Sequence, residues 1–172
     1  MEDISSINNT LHRLVRLNKS LLMLSRIDNR QYTEETTINF NQLIKKVIDD
    51  FADFAEFKDV ALSFKADTEL LFVMNKDLAE ILVSNLVKNA IVHNFEGGFV
   101  TVKIGTNTLT VSNTATNGAL NKDAVFTRFY KGSEAVQSTG LGLAIVQSVA
   151  DLYKLQLDYQ YDDTHNFIVK FS

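Results

Sequence analysis

Two amides and two glycines carry the most chemistry in this sequence. Along Leu78-Ala-Glu-Ile-Leu-Val-Ser-Asn-Leu-Val-Lys-Asn-Ala-Ile-Val-His93, the residues Leu78, Ile81, Leu82 and Leu86 recur at helical spacing and predict a buried stripe. Asn85 and Asn89 fall one turn apart on that stripe. A buried amide left unpaired costs about 1–3 kcal/mol, so each needs a partner. Hydrogen bonds to a neighbouring loop would supply one. A Mg2+ ion would supply another, since it takes hard oxygen ligands and keeps several waters. Spacing alone leaves both readings open. In Ser138-Thr-Gly140-Leu-Gly142-Leu-Ala-Ile-Val the glycines open a helix directly after a polar stretch. Free backbone N–H groups and the positive end of a helix dipole then face one point, which suits phosphate. The alternative is a glycine-rich loop end packed closely on a strand.

The elements that must position these groups follow from periodicity. Ile4, Ile7, Leu11, Leu14, Val15, Leu21 and Leu22 stripe a long helix from Glu2 to about Asp28, interrupted by Asn18. A polar linker, 29–35, leads to a short strand near 37–40 and a helix over about 41–58 with Leu43, Ile44, Val47, Ile48, Phe51 and Phe54 inward. Segments 60–65 and 69–74 read as two strands joined by a polar turn, and Asn75 caps the helix that bears Asn85 and Asn89. Strands near 99–104 and 109–111 are joined through Gly105, Thr106 and Asn107 as a hairpin. Between 112 and 139 the pattern dissolves into small and polar residues around the apolar island 125–130, as in a functional lid or a disordered loop. A last helix from Gly140 and strands near 155–161 and 167–171 complete an α+β arrangement, with helices on one face of a mixed, mostly antiparallel sheet.

Composition narrows the function classes. A net charge of −4 offers no broad attraction to nucleic acid or anionic lipid, and no apolar run reaches a membrane span. Without cysteine there is no disulfide, thiolate metal site or cysteine nucleophile, so any metal is held by oxygen or imidazole. All seven glycines lie in the second half, at 97, 98, 105, 118, 132, 140 and 142. Backbone freedom is therefore expected there.

Taken in order, the Asn85/Asn89 helix and the Gly140-Leu141-Gly142 segment resemble the N box and second glycine box of two-component sensor histidine kinases. This family shares a superfamily with gyrase, heat-shock chaperone and mismatch-repair ATPases. Phe126-Thr-Arg-Phe-Tyr-Lys-Gly132 resembles the family's F box, and Leu21-Leu-Met-Leu-Ser-Arg-Ile27 the end of the second helix of its dimerisation hairpin. The resemblance implies a Bergerat-type two-layer sandwich with three helices over the sheet. Its divisions would be hairpin helix 1–30 and ATP-binding catalytic domain 31–172, with a lid at about 113–139. It implies ATP and Mg2+ as ligands: Asn89 as metal ligand assisted by Asn85, His93 lining the nucleotide pocket, and Gly140, Leu141 and Gly142 at the phosphates. Where the family often carries a phosphate-binding lysine this chain has Val92, which leaves Lys131, with Arg128 nearby, as the implied cation for the γ-phosphate. Both cations also fit simple solvation. Asn113-Thr-Ala115-Thr-Asn117 stands where the family shows Asp-x-Gly-x-Gly, so Asn113 is the implied acceptor for the adenine amino group, without charge assistance, and Ala115 and Asn117 bring side chains where the family's glycines allow close backbone approach.

The same resemblance implies a protein histidine kinase activity. The γ-phosphoryl group would pass to a histidine on the hairpin's first helix and then to the receiver domain of a response regulator. The chain would work in a homodimer, as a cytoplasmic domain of a parent protein anchored in the bacterial inner membrane. The acceptor motif, a histidine followed by an acidic residue and soon by a proline, is not matched: His12 is followed by Arg13 and Leu14, and proline is absent. The chain is therefore expected to bind nucleotide without phosphorylating itself. A degenerate nucleotide-binding or scaffolding module is the alternative.

Overall fold

The computed structural model describes the backbone of residues 2–114, 118–132 and 138–172, with side chains from Ser6 onward. In chain order the elements are α1 (Glu2–Asp28), β1 (Thr36–Asn39), α2 (Phe40–Phe57), β2 (Ala61–Ala66), β3 (Leu71–Met74), α3 (Lys76–Val92), β4 (Phe99–Gly105), β5 (Thr108–Thr114), α4 (Gly142–Tyr153), β6 (Gln156–Tyr161) and β7 (Thr164–Lys170). Five strands form one sheet in the order β2-β4-β5-β7-β6, in which only β2 and β4 run parallel. Helices α2, α3 and α4 cover one face of it, as the expected sandwich requires.

Segments 61–66 and 71–74 do not form the adjacent pair their polar turn suggested. β2 joins the edge of the main sheet beside β4, whereas β3 pairs with β1 in a separate two-stranded ribbon. A turn read from sequence says that the chain reverses, not which strand it meets. The hairpin β4–β5 forms as expected, with Asn107 in the left-handed region at φ 53°.

Alternation along the strands builds the core in rows. Val102, Val111, Phe167 and Tyr159 stand side by side across the sheet on the helix-covered face, and so do Ile104, Leu109, Val169 and Leu157. The next row is different: Val100, then Asn113, then His165, two polar side chains on the buried face at one end of the sheet. Residues 113 and 114 thus belong to β5, not to the segment that follows it.

Helices α3 and α4 lie antiparallel, and one pair of their ends is tied. At one end Asn75 caps α3, its Oδ1 accepting from the amides of Asp77 and Leu78 at 3.0 and 3.1 Å, while its own amide donates to the Tyr153 hydroxyl at the end of α4. Tyr153, Phe72, Phe171 and Phe40 continue from there as a chain of edge-on rings. From Asn75 to Asn85, and from Tyr153 back to Gly142, the rise of an α-helix gives about 15 Å and about 16 Å. The tie at one end therefore brings Asn85 level with Gly142 at the other.

Helix α1 joins the domain through its last turns, where Leu24 and Ile27 are buried and α1 contacts α4. Each such burial stabilises by about 1.5–3 kcal/mol. The stripe read from sequence faces elsewhere: Ile7, Leu11, Leu14, Val15, Leu21 and Leu22 are exposed. Among the described residues no helix is long and apolar enough to cross a membrane.

Candidate functional site

The middle of α3 is not a uniformly buried stripe. Leu78, Leu82 and Leu86 are buried, as are Val83, Val87 and Ala90, whereas Ile81, Asn85 and Asn89 form a half-open row one turn apart. Asn85 turns its Nδ2 back to the carbonyl of Ile81 at 2.8 Å, which frees its Oδ1 to face outward. A Cβ placed on Gly142 would lie 3.3 Å from that oxygen. The amide helix and the glycine segment therefore meet. Asn89 makes no side-chain hydrogen bond among the described residues, so its amide is available to a ligand.

Both residues open onto a cleft of about 860 Å3 that α3 shares with α1, α2 and the chain leading into α4. Its walls include Asn85, Asn89, Val92 and His93 on one side and Tyr130, Thr139, Gly140 and Gly142 on another. Gly140 has φ +70°, and a Cβ there would stand 2.9 Å from the Cα of Phe129. The amide of Phe129 donates to the Gly140 carbonyl at 2.8 Å, so the apolar island and the glycine segment are stitched together. Leu141, fully buried, anchors the start of α4, and no side chain caps it. The first amides of α4 keep their donors unclaimed by a cap, the condition for holding an anion.

The polar row at the end of the sheet does not line the cleft. Asn113 is 1% exposed; its Nδ2 donates to the Thr114 carbonyl at 2.9 Å, and its Oδ1 is the one buried side-chain polar atom without a partner among the described residues. An orphaned acceptor here fits a ligand bearing an N–H donor, such as an amino-substituted ring. Its neighbour His165 is hydrogen-bonded through Nδ1 to the Tyr159 hydroxyl across 2.7 Å, and that hydroxyl accepts from the amide of Leu120. Burial lowers the pKa of His165, with His93 adding to the effect, and burial lowers that of His93 as well. Burial thus favours the neutral form of both imidazoles, and His165 stands beside Asn113 across the sheet.

Asn94 fixes the height of this row. It donates from Nδ2 to the carbonyls of Ala90 and Phe99 at 3.3 and 2.9 Å, and its Oδ1 accepts from the amide of Phe95 and the Thr114 hydroxyl. Gly98 has no room for a Cβ beside Asn94 and Thr114. Sequence reading missed Asn94 because its role exists only once Thr114 is brought beside it.

The remaining expected residues sit elsewhere. Lys131 is exposed and does not line the cleft. Arg128 points away from it, its guanidinium donating to Asp28 at the end of α1 across 2.8 Å. Phe126 packs on the core with its ring edge-on to Phe167, while Phe129 is largely exposed. Ala115 and Asn117, with 133–137, lie outside the described residues. Glu80, on the far side of α3, is engaged by Lys46 of α2 at 2.9 Å. Among the described residues no three His, Asp or Glu side chains gather into a metal-binding group. A cation at the cleft would rely on amide oxygens and on its ligand's own anionic oxygens, which suits Mg2+.

Residues 74–172 match the family model described as histidine kinase-, DNA gyrase B- and HSP90-like ATPase. The chain is 35% identical over 156 residues to the heme sensor protein HssS of Staphylococcus saprophyticus, covering 87% of this chain and 34% of that protein. It is 34% identical over 164 residues to HssS of Staphylococcus epidermidis, covering 92% of this chain and 36% of that one. It thus spans about a third of the length of these relatives. Among solved structures, the Acinetobacter baumannii histidine kinase AdeS superposes with a TM-score of 0.74 at 20% identity, over 98% of this chain and 83% of that one. The catalytic domain of histidine kinase ThkA superposes at 0.68 and 25% identity, over 81% of this chain and 95% of that one. With the amide helix, the glycine-opened helix and the polar sheet end in the arrangement just described, the chain belongs to the histidine kinase-, DNA gyrase B- and HSP90-like ATPases, as an ATP-binding domain of the sensor histidine kinase kind.

Proposed function

We propose that this chain binds Mg-ATP and presents its γ-phosphoryl group to a histidine on the first helix of a dimerisation hairpin, within a sensor kinase that signals to the receiver domain of a response regulator. The observation that carries the reading is the meeting of Asn85 Oδ1 with Gly142, which sets side-chain oxygens beside the open amides of α4. Asn89 and Asn85 would hold Mg2+, which would supply neutralisation of the phosphate charge. The amides at Gly140, Leu141 and Gly142 would receive phosphate oxygens, and Asn113 Oδ1 would accept from the adenine amino group. Phosphoryl transfer asks a protein mainly for alignment and charge neutralisation, and these groups offer both. Hydrolysis asks also for a base beside the phosphate; Asn85 cannot serve as one, and Glu80 is committed to Lys46 on the other side of the helix.

In this reading the chain is the cytoplasmic catalytic part of a membrane-anchored homodimer, whose contact is made through the apolar stripe of α1. His12 is not the acceptor, because its sequence context lacks the acceptor motif. A second reading, a nucleotide-binding or scaffolding module without transfer, draws on the uncharged acceptor at Asn113.

The test is a calorimetric titration of ATP with and without Mg2+, on the wild type and on Asn89→Ala. Binding that needs Mg2+ in the wild type, and loses about tenfold or more with its Mg2+ dependence in the variant, supports the assignment. Affinity indifferent to both Mg2+ and Asn89 would sink it. Supplying the first hairpin helix in trans, with labelled ATP, separates the two readings: label on its histidine supports the kinase, and nucleotide binding without transfer supports the module.

A further inference from the structure

Besides its amides and glycines, the cleft is lined by Arg13, Arg16 and Lys19 of α1, by Lys58 at the end of α2 and by Lys88 of α3, and among the described residues by no carboxylate. This gathering occurs in a chain of net charge −4. The ion pairs of the described residues are Lys46–Glu80, Lys103–Asp67, Lys122–Asp158 and Arg128–Asp28, so none of the five is neutralised by one of them. Arg13 and Arg16 lie one turn apart, and Ser20 another turn on also lines the cleft, so a single face of α1 is turned into it. Like charges brought together without a counter-charge are repulsive, and a polyanion relieves them.

We infer that Arg13 and Arg16 are phosphate-binding residues, gripping the terminal phosphates of a nucleotide from the side opposite α3. The inference rests on the nucleotide reading above and extends it to a helix outside the segment that matches the ATPase family. Val92, on the wall of the cleft, has no charge to offer, and Lys131 stands off it. Guanidinium groups bind phosphate oxygens in pairs and with charge assistance, so α1 adds a two-pronged grip that Val92 does not offer and a lysine ammonium such as that of Lys88 does not replace. Nucleotide grip then depends on where α1 lies. That position is set where Leu24 and Ile27 are buried against the domain and α1 contacts α4.

The experiment compares Mg-ATP, Mg-ADP and adenosine on the whole chain, for the wild type, for the double variant Arg13→Ala with Arg16→Ala, and for the double variant Arg13→Lys with Arg16→Lys. Both arginines are exposed, and thermal melts verify that the variants stay folded. The alanine pair should bind ATP about tenfold or more weakly, ADP less affected and adenosine unchanged. Its ATP affinity should also fall less steeply with salt, and the lysine pair should recover part of the loss. Equal ATP affinity in the alanine pair and the wild type overturns the inference while leaving the nucleotide reading intact. So does an equal loss for adenosine. A wild type that binds neither ATP nor adenosine overturns both.

Discussion

Asn85 Oδ1 stands 3.3 Å from the point at which a Cβ on residue 142 would sit. That distance is tighter than ordinary carbon–oxygen contact, so any side chain at 142 must push the amide away from the mouth of α4.

Gly142→Ala therefore separates stability from binding. Alanine favours a helix over glycine by about 1 kcal/mol, which offsets the shift forced on Asn85, and the thermal midpoint should stay within a few degrees of the wild type. Nucleotide affinity should fall several-fold. Thermal melts and titrations on one sample check both, and unchanged affinity would show that Asn85 and the glycine segment do not act together.

Asn113→Leu tests the orphaned acceptor. Its buried oxygen costs about 1–3 kcal/mol with no ligand present, so removing it offsets the lost bond to the Thr114 carbonyl, and unfolding free energy should change by about 1 kcal/mol or less. Affinity for ATP should drop about tenfold, and any preference for ATP over GTP should vanish. Denaturant melts and paired titrations with the two nucleotides decide it. A retained preference would mean that the base is read elsewhere.

Asn94→Ala should be the most costly of the single changes proposed for this domain. It removes donors to Ala90 and Phe99 and leaves the Phe95 amide and Thr114 hydroxyl without their acceptor. We expect a loss of about 2–4 kcal/mol in denaturant unfolding, and weaker nucleotide binding because Asn113 loses its footing. A loss below about 1 kcal/mol would show that β4 and β5 hold the row unaided.

Acid should loosen the sheet end. His165 has a pKa lowered by burial and then by His93, and the ordinary histidine value is about 6.5. The unfolded chain therefore binds more protons than the folded one in this range, so stability rises with pH. It is complete above about 6.5 and is lost as pH falls below that value toward the depressed one. A protonated ring can only donate at Nδ1, which confines to one direction its hydrogen bond with the Tyr159 hydroxyl that holds Leu120. Chemical denaturation between pH 5 and 8 should show this slope, and His165→Gln should flatten it. A slope unchanged in the variant would assign the effect to another group.

Legibility from sequence followed the range of the interactions. The row Ile81, Asn85, Asn89 and the pair Gly140, Gly142 could be read because a helix displays its own spacing and a glycine announces its own backbone need. That Asn75 would cap α3 was readable for the same reason. The partners of β2 and β3 were not, since a polar turn carries no information on which strand edge lies free. Nothing in their spacing singled out Arg13 and Arg16, because they meet the cleft only after Leu24 and Ile27 lay α1 on the domain. The stripe of α1 was found, but it is exposed, and the residues docking the helix, Leu24 and Ile27, lie beyond its last member. Lys131 was chosen for its place beside an aromatic pair, and Arg128, its neighbour, was drawn instead to Asp28 across the outside of the domain.

The parallel pairing of β2 with β4 carries a kinetic consequence. Ala61 must wait for Phe99, with the whole of β3 and α3 between them, whereas β4 and β5 meet across Thr106 and Asn107. Closing the longer loop loses more chain entropy before any strand contact compensates, so the hairpin assembles early and β2 docks late. Until it docks, the outer edge of β4 is an open template, and a crowded refolding mixture or a slowly emerging nascent chain is exposed to mispairing along that one strand.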